Sequence, residues 1–227
     1  MKAVYGIVVL IAAIYVQTST AKLQCQLAQG NIPTKWITMV DPCIKKMREQ
    51  VQVELRAAVS YLAMGAHFSK DTVNRPGFAK IFFDAASEER EHAIKIIEYL
   101  LMRGELTSKV GHLIKNPMPA KESWETGVEA LKDALGLETE VTLRIRDIIK
   151  ECETPTNKCK DGVDCEQTYD FNDYHLVDYL TGDFLEEQYR GQRDLAGKAS
   201  TLEKMMKTQG ALGEFLFDKK LLNGEPL

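Results

Sequence analysis

Beyond its first two dozen residues the sequence has no run of eighteen apolar residues free of charge, so no bilayer-spanning helix is expected there. It also lacks a basic surplus: 29 Lys and Arg stand against 33 Asp and Glu, a formal net charge of −4. Nucleic acid and anionic membrane surfaces are therefore not expected partners. There is no Asn-x-Ser/Thr sequon, and hence no expectation of N-glycosylation. Alternating apolar and polar runs between turn residues are scarce, which argues against a sheet protein. A close C-x-x-C pair is absent as well.

What is present begins with Lys2, an apolar run from Val4 to Val16, and the small residues Thr18-Ser19-Thr20-Ala21. That order fits a secretory signal peptide over 1–21, cleaved after Ala21. The competing reading is an uncleaved anchor, but the run is short and polar sequence follows it. Residues 22–40 read as an N-terminal extension and 41–227 as one folded domain. All five cysteines, Cys25, Cys43, Cys152, Cys159 and Cys165, follow the cleavage point. In an oxidising compartment disulfides are favoured over a zinc site, since no His lies in the 152–165 stretch. Connectivity is not readable from spacing, and an odd count leaves one cysteine free or paired to another chain.

The rest of the chain carries apolar residues every three or four positions. One helix is expected from a capping Asp41 and Pro42 to about Ser69, with Ile44, Met47, Val51, Leu55, Ala58 and Leu62 on its inner stripe. A second opens at Asn74-Arg75-Pro76 and stops at Gly104. A third is expected over roughly Lys121 to Glu151, a fourth from about Asp170 to Lys207, and a short fifth from Ala211 to Leu222. The fold class is all-α: four long helices make a bundle, and the loop before the third is long enough to be a full-length crossover.

Acids stand where a core should be. Glu89 and His92 are three apart on the second helix, so they share a face. Glu54 lies among Val51, Val53, Leu55 and Ala57, with Tyr61 two turns on. Glu138 follows Leu137 on the third helix, and Glu187 and Gln188 follow Phe184 and Leu185 on the fourth. A buried acid is costly unless paired, hydrogen-bonded or bound to metal. A salt-bridge network would need inward cations, and Arg56, Arg90 and Arg144 are placed for outer faces. One polar group per helix with a Glu-x-x-His pair is the pattern of di-iron carboxylate bundles. Mixed carboxylate and imidazole donors suit iron or manganese, with Glu89 able to bridge two ions about 3.5–4 Å apart.

The Glu88-Glu89-Arg90-Glu91-His92-Ala93 segment, Val53-Glu54-Leu55 with Tyr61-Leu62, Trp124 with Gly127, Leu137-Glu138, Glu186-Glu187-Gln188 and Gly213 to Lys219 together resemble heavy-type ferritin. The resemblance runs in order from about Val51 to Leu222. The signal peptide and cysteine-rich loop are similar to those of secreted insect-type heavy chain homologues.

This resemblance implies a ferroxidase centre holding two irons. Glu54, Glu89 and His92 match the ligands of the first iron. Glu89 and Glu138 match the bridge and the second-iron ligand, Gln188 the amide beside it, Tyr61 the hydrogen-bonded tyrosine and Glu88 an acid near the inner cavity wall. It implies oxidation of Fe(II) by O2 and a ferric mineral stored in a hollow shell of twenty-four subunits. The partners are copies of this chain and a light-chain-type subunit, in a heavy-to-light ratio that the sequence leaves open. Where the family pattern has a second nucleation acid stands Ile94, beside a matching Glu91. At the three-fold iron channel Asp178 matches but Thr181 replaces a second acid, with Asp173 and Asp183 as nearby substitutes. A discrete di-iron oxygenase would have no use for a fifth helix, and an inert shell subunit would not keep all four ligands. Gln188, a poor iron ligand, predicts a centre that oxidises iron and lets it go.

Overall fold

The computed structural model describes residues 30–106, 113–153 and 172–225. It divides the chain into two units, Met1–Thr34 and Lys35–Leu227. The second is all helix, with no strand among the described residues. Its elements are α1 (Asp41–Ser69), α2 (Pro76–Met102), α3 (Gly127–Glu153), α4 (Tyr174–Tyr179), a π-helical stretch (Leu180–Leu185), α5 (Glu186–Gln209) and α6 (Ala211–Asn223). The π-helical stretch joins α4 to α5, so these three form the fourth rod of the bundle. No described helix is long and apolar enough to cross a membrane.

Helix α1 starts where expected, but Val40 rather than Asp41 is its N-cap, and no side chain caps it. Asp41 sits inside the first turn, where the helix dipole favours a negative charge. Its buried line runs through Met47, Val51, Glu54, Ala58 and Tyr61, leaving Leu62 half exposed. Helix α2 ends as expected before Gly104, whose φ of +84° suits glycine. A Cβ there would lie 2.7 Å from the Trp36 ring.

Helix α3 begins at Gly127, six residues later than the apolar spacing suggests. Thr126 ends the preceding loop by accepting the Glu129 amide on its hydroxyl at 3.2 Å, while Glu129 accepts the Glu125 amide at 2.8 Å. This variant of a capping box fixes the start, and Trp124 packs beside the helix instead of within it. The described part of the fourth rod begins at Tyr174, with Asp173 accepting the Leu176 amide. The expected start at Asp170 lies outside the described residues.

The described parts of the 103–126 connection lie against the start, the middle and the far end of α1. Gly104 meets Trp36 near the start of α1. Midway, the Lys115 amide donates to Gln52 Oε1 at 2.8 Å and Gln52 Nε2 donates to the Lys115 carbonyl at 3.1 Å. At the far end Trp124 meets His67, ring centroids 5.5 Å apart. This is the crossover the loop length anticipates. Cys43 and Cys152 are joined across 109 positions, pinning the start of α1 to the end of α3. A loop that long stabilises the fold by about 4–5 kcal/mol in the chain-entropy picture. Cys25, Cys159 and Cys165 lie outside the described residues.

The core has two parts. One is largely aliphatic and surrounds the disulfide, with Met47, Val51, Ile96, Val141, Ile145 and Leu180. The other is aromatic and reaches α6, with Phe68, Phe78, Phe82, Trp124 and Phe217. A polar layer separates them.

Candidate metal centre

That polar layer draws on all four rods, with two positions from α2. Glu54 of α1 follows Val51, Glu89 and His92 of α2 lie between Ala86 and Ala93, Glu138 of α3 between Ala134 and Val141, and Gln188 of α5 after Phe184. All five side chains are buried, Glu54 at 0% and Glu89 at 3% exposure. Because each sits at a core register of its helix, folding of the apolar neighbours carries the polar group inward.

Glu54, Glu89 and His92 each offer one ligand atom, all within 4.8 Å of one another. Glu54 Oε2, Glu89 Oε2 and His92 Nδ1 are buried without a hydrogen-bond partner. Their remaining atoms are held: Gln50 Nε2 donates to Glu54 Oε1 at 2.7 Å, and His92 Nε2 lies 3.3 Å from Glu187 Oε2. The Tyr61 hydroxyl donates to Glu138 Oε1. The Thr142 hydroxyl lies 2.9 Å from Gln188 Oε1 and 2.8 Å from the Glu138 carbonyl, and receives the Gln192 amide. With its oxygen thus engaged, Gln188 turns its NH2 group to the Glu138 carboxylate.

Electrostatics mark the layer as incomplete. Burial, then the charge of Glu89, pushes the Glu54 carboxyl well above the usual carboxylate range. Burial, then Glu138, pushes Glu89 up to about 8. Glu138 is raised by burial against the pull of Tyr61, and the Tyr61 phenol is pushed well up by burial and by Glu138. Glu88 is raised by burial and by Glu187. Arg56, Arg90 and Arg144 are all exposed, so none of them supplies the compensating charge. A divalent cation among the free oxygens and the free imidazole nitrogen would meet the deficit.

The layer borders a cavity of about 270 Å³ lined by Tyr61, Glu88, Glu89, His92, Glu138 and Gln188, among others. All seven residues expected at the site therefore come together. Glu88 is the outlying one, exposed at the cavity wall. Three residues escaped the sequence reading as site members, Gln50, Thr142 and Gln192, while Glu187, read from the sequence beside Gln188, meets His92. Gln50, Thr142 and Gln192 each stand four positions from Glu54, Glu138 and Gln188, so a search at i±4 from each candidate ligand would have found them.

Outside the centre, Glu91, Ile94, Asp178, Thr181 and Asp183 are exposed. Asp173 is not the spare channel acid expected of it. It is buried, caps α4, and takes two bonds of 2.9 Å from Arg103.

The family model described as a ferritin-like domain matches residues 44–158. A ferritin heavy chain of Trichoplusia ni is 61% identical over 199 residues, 88% of each chain. One of Papilio xuthus is 58% identical over 222 residues, 98% of each chain. Another, of Drosophila melanogaster, is 56% identical over 87% of this chain and 90% of its own. Among solved structures, the Trichoplusia ni secreted ferritin superposes with a TM-score of 0.80 at 60% identity, covering 89% of this chain and 100% of that one.

Proposed function

Because the chain belongs to the ferritin family, we propose that it is the iron-oxidising, heavy-type subunit of a secreted ferritin shell. Its substrates are Fe(II) and O2, and its product is Fe(III), laid down as a mineral in the shell cavity. The observation that carries this reading is the convergence of Glu54, Glu89 and His92, which bring ligand atoms within 4.8 Å of one another and each keep a buried atom without a hydrogen-bond partner. Buried groups without partners are rare and call for a functional account.

In this reading Glu54, Glu89 and His92 hold the first ferrous ion. Glu89 also reaches the second, which Glu138 holds with Gln188 beside it. An arriving cation displaces the proton that burial keeps on the carboxyls, so loading releases protons. Tyr61 fixes the Glu138 carboxylate, Gln50 fixes Glu54, and the Thr142–Gln192 pair orients Gln188, the kind of outer support that holds ligand geometry in metal sites. Glu88 and Glu187 stand where iron passes between centre and cavity. Two ferrous ions held side by side deliver one electron each to dioxygen.

Secretion is supported by the Cys43–Cys152 disulfide, which belongs to an oxidising compartment, by the signal-like 1–21 segment, and by the secreted ferritin to which the chain is similar. The domain then spans 41–227. Shell assembly is supported by α6, whose outer face leaves Leu212, Phe215, Leu216 and Leu222 exposed. Copies of this chain and a light-chain-type subunit cover that face and close the twenty-four-subunit shell. Purifying the secreted protein, sizing it and adding ferrous iron in air tests all of this. The expected result is a shell of many subunits that oxidises and retains iron. A one- or two-subunit particle would point to a discrete di-iron oxygenase, and an intact shell with slow oxidation to a structural subunit.

A further inference from the structure

Two lines of aromatic contact leave the candidate centre. One runs from Tyr61 to Phe82 and on into the buried rings near α6. The other starts on His92 itself. The His92 ring centroid is 5.6 Å from Phe184, Phe184 is 5.5 Å from Tyr179, Tyr179 stacks on Tyr99 at 4.5 Å, and Tyr99 lies 5.7 Å from His175. This second line begins at a buried metal-facing imidazole and ends at an exposed one.

At its outer end the hydrogen bonds are ordered for loss of a hydrogen atom from Tyr99. Arg103 donates to the Tyr99 oxygen at 2.7 Å, and is itself held by two bonds of 2.9 Å to Asp173. A guanidinium accepts nothing, and His175 Nδ1 lies 3.0 Å from the Tyr99 oxygen, placed to take the phenolic proton whenever that nitrogen is bare. Burial pushes the Tyr99 phenol up to about 12, against the pull of Arg103, so the proton is in place at neutral pH. Ring packing alone accounts for the stack, but not for a phenol set between a fixed cation and a free base.

We propose that Tyr179 and Tyr99 form a one-electron relay with the iron centre, Tyr99 lending an electron that a later ferrous ion restores, so that peroxide made there is reduced to water. The relay rests on the ferroxidase reading above. Oxidation of two ferrous ions by one dioxygen, with two protons, leaves two ferric ions and one hydrogen peroxide. The peroxide then takes one electron from a further ferrous ion and one from Tyr99, passed through Tyr179, Phe184 and His92. Its O–O bond breaks and, with two protons from solvent, two waters form. As the electron leaves Tyr99, the phenolic proton moves to His175 Nδ1, giving a neutral tyrosyl radical beside an imidazolium. A later ferrous ion returns the electron by the same path, and the proton returns to the phenol oxygen. In net balance, two ferrous ions and two protons reduce one peroxide to two waters, and no hydroxyl radical is freed.

The test uses the assembled shell, given ferrous iron with hydrogen peroxide under argon and frozen within seconds for EPR. Growth on ring-deuterated tyrosine identifies the radical by its narrowed spectrum. The wild-type shell is expected to show a tyrosyl signal that Tyr99→Phe removes for the most part and that Tyr179→Phe and His175→Asn weaken several-fold. Spin-trapped hydroxyl radical should rise several-fold in the same variants, with the initial rate of ferrous oxidation in air unchanged. An unchanged signal in both tyrosine variants, or a signal lost only in Tyr61→Phe, overturns the relay. A wild-type shell that leaves ferrous iron unoxidised in air overturns the ferroxidase reading instead, while the peroxide experiment still judges the relay.

Discussion

Two buried acids in this bundle have opposite surroundings. Asp218 of α6 is 0% exposed, as is Glu54 of α1. Asp218 Oδ1 receives the amides of Gly77 at 2.7 Å and Phe78 at 3.1 Å, at the positive end of α2. Its neighbour Glu214 does the same for α3, accepting the Gly127 amide at 2.9 Å, and also takes Arg75 Nε at 3.2 Å. Asp218 Oδ2 lacks a hydrogen bond but has Lys219 Nζ 3.6 Å away. Glu54 and Glu89 each leave one oxygen bare with no Lys or Arg paired to them among the described residues, and the charge of Glu89 bears on Glu54. The acids of α6 thus complete the fold with donors supplied by the chain, whereas those of the central layer are completed by something the chain does not supply. Burial of an acid is therefore ambiguous by itself; its donors decide whether it is architecture or a binding site.

The sharpest way to break this contrast is to remove one acid from each place. Glu89→Ala should slow rapid ferrous oxidation by more than the roughly 10–100-fold typical of outer-shell changes at metal sites, while the shell still assembles. Stopped-flow absorbance and sizing of the same preparation check both halves. Dispersed subunits would mean that Glu89 holds the fold and not the iron.

Asp218→Ala should do the reverse. It leaves the first amides of α2 buried and unpaired, and two charge-assisted bonds of this kind are together worth about 3–5 kcal/mol. The thermal midpoint should fall clearly, with the oxidation rate per folded subunit preserved. Equal loss of stability in Glu89→Ala would erase the distinction.

What the sequence allowed one to read follows the same division. Glu54 was visible because an acid interrupts an apolar stripe, and Glu89 with His92 because their spacing shares a face. Gln50, Thr142 and Gln192 were not, since a polar residue one turn from an acid looks like solvated surface until the neighbouring helix is in place. Pro42, Pro76 and Gly104 marked helix boundaries through local backbone chemistry. The start of α3 was misread because Trp124 continues the apolar spacing while Thr126 and Glu129 set the boundary. The π-helical stretch over Leu180–Leu185 left no trace, since one shifted turn does not disturb the spacing of a long apolar stripe.

A subtler difference lies in pH. Glu89 carries a pKa raised to about 8 in the folded chain, and Glu54 is shifted the same way. A raised folded value means that the metal-free fold binds its proton more tightly than the unfolded chain does. The contribution to stability is therefore full below the ordinary glutamate range, and is lost as pH rises from about 4.5 toward 8. The slope is at most about 1.4 kcal/mol per pH unit for each proton. Melting curves of the metal-free shell should show this decline in the wild type and a shallower one in Glu89→Gln. A redox-inert divalent ion should flatten the wild-type curve, because it replaces the proton with a charge that persists at high pH.

The smallest expected effect concerns the position where the central layer is least acidic. Gln188 brings a neutral amide to the second-iron side, oriented by Thr142 and Gln192 and turned toward Glu138. An amide oxygen carries less charge than a carboxylate, and a ferric ion gains more than a ferrous one from each added negative ligand. Gln188→Glu should therefore leave the first turnover close to wild type and slow the departure of oxidised iron into the cavity by several-fold. Repeated additions of two ferrous ions per subunit, with a rest between them, separate the two effects, since only retained iron blocks the next addition. If the variant recovers its full initial rate as quickly as the wild type, release is governed by the outer acids Glu88 and Glu187, and the neutral amide is a matter of packing alone.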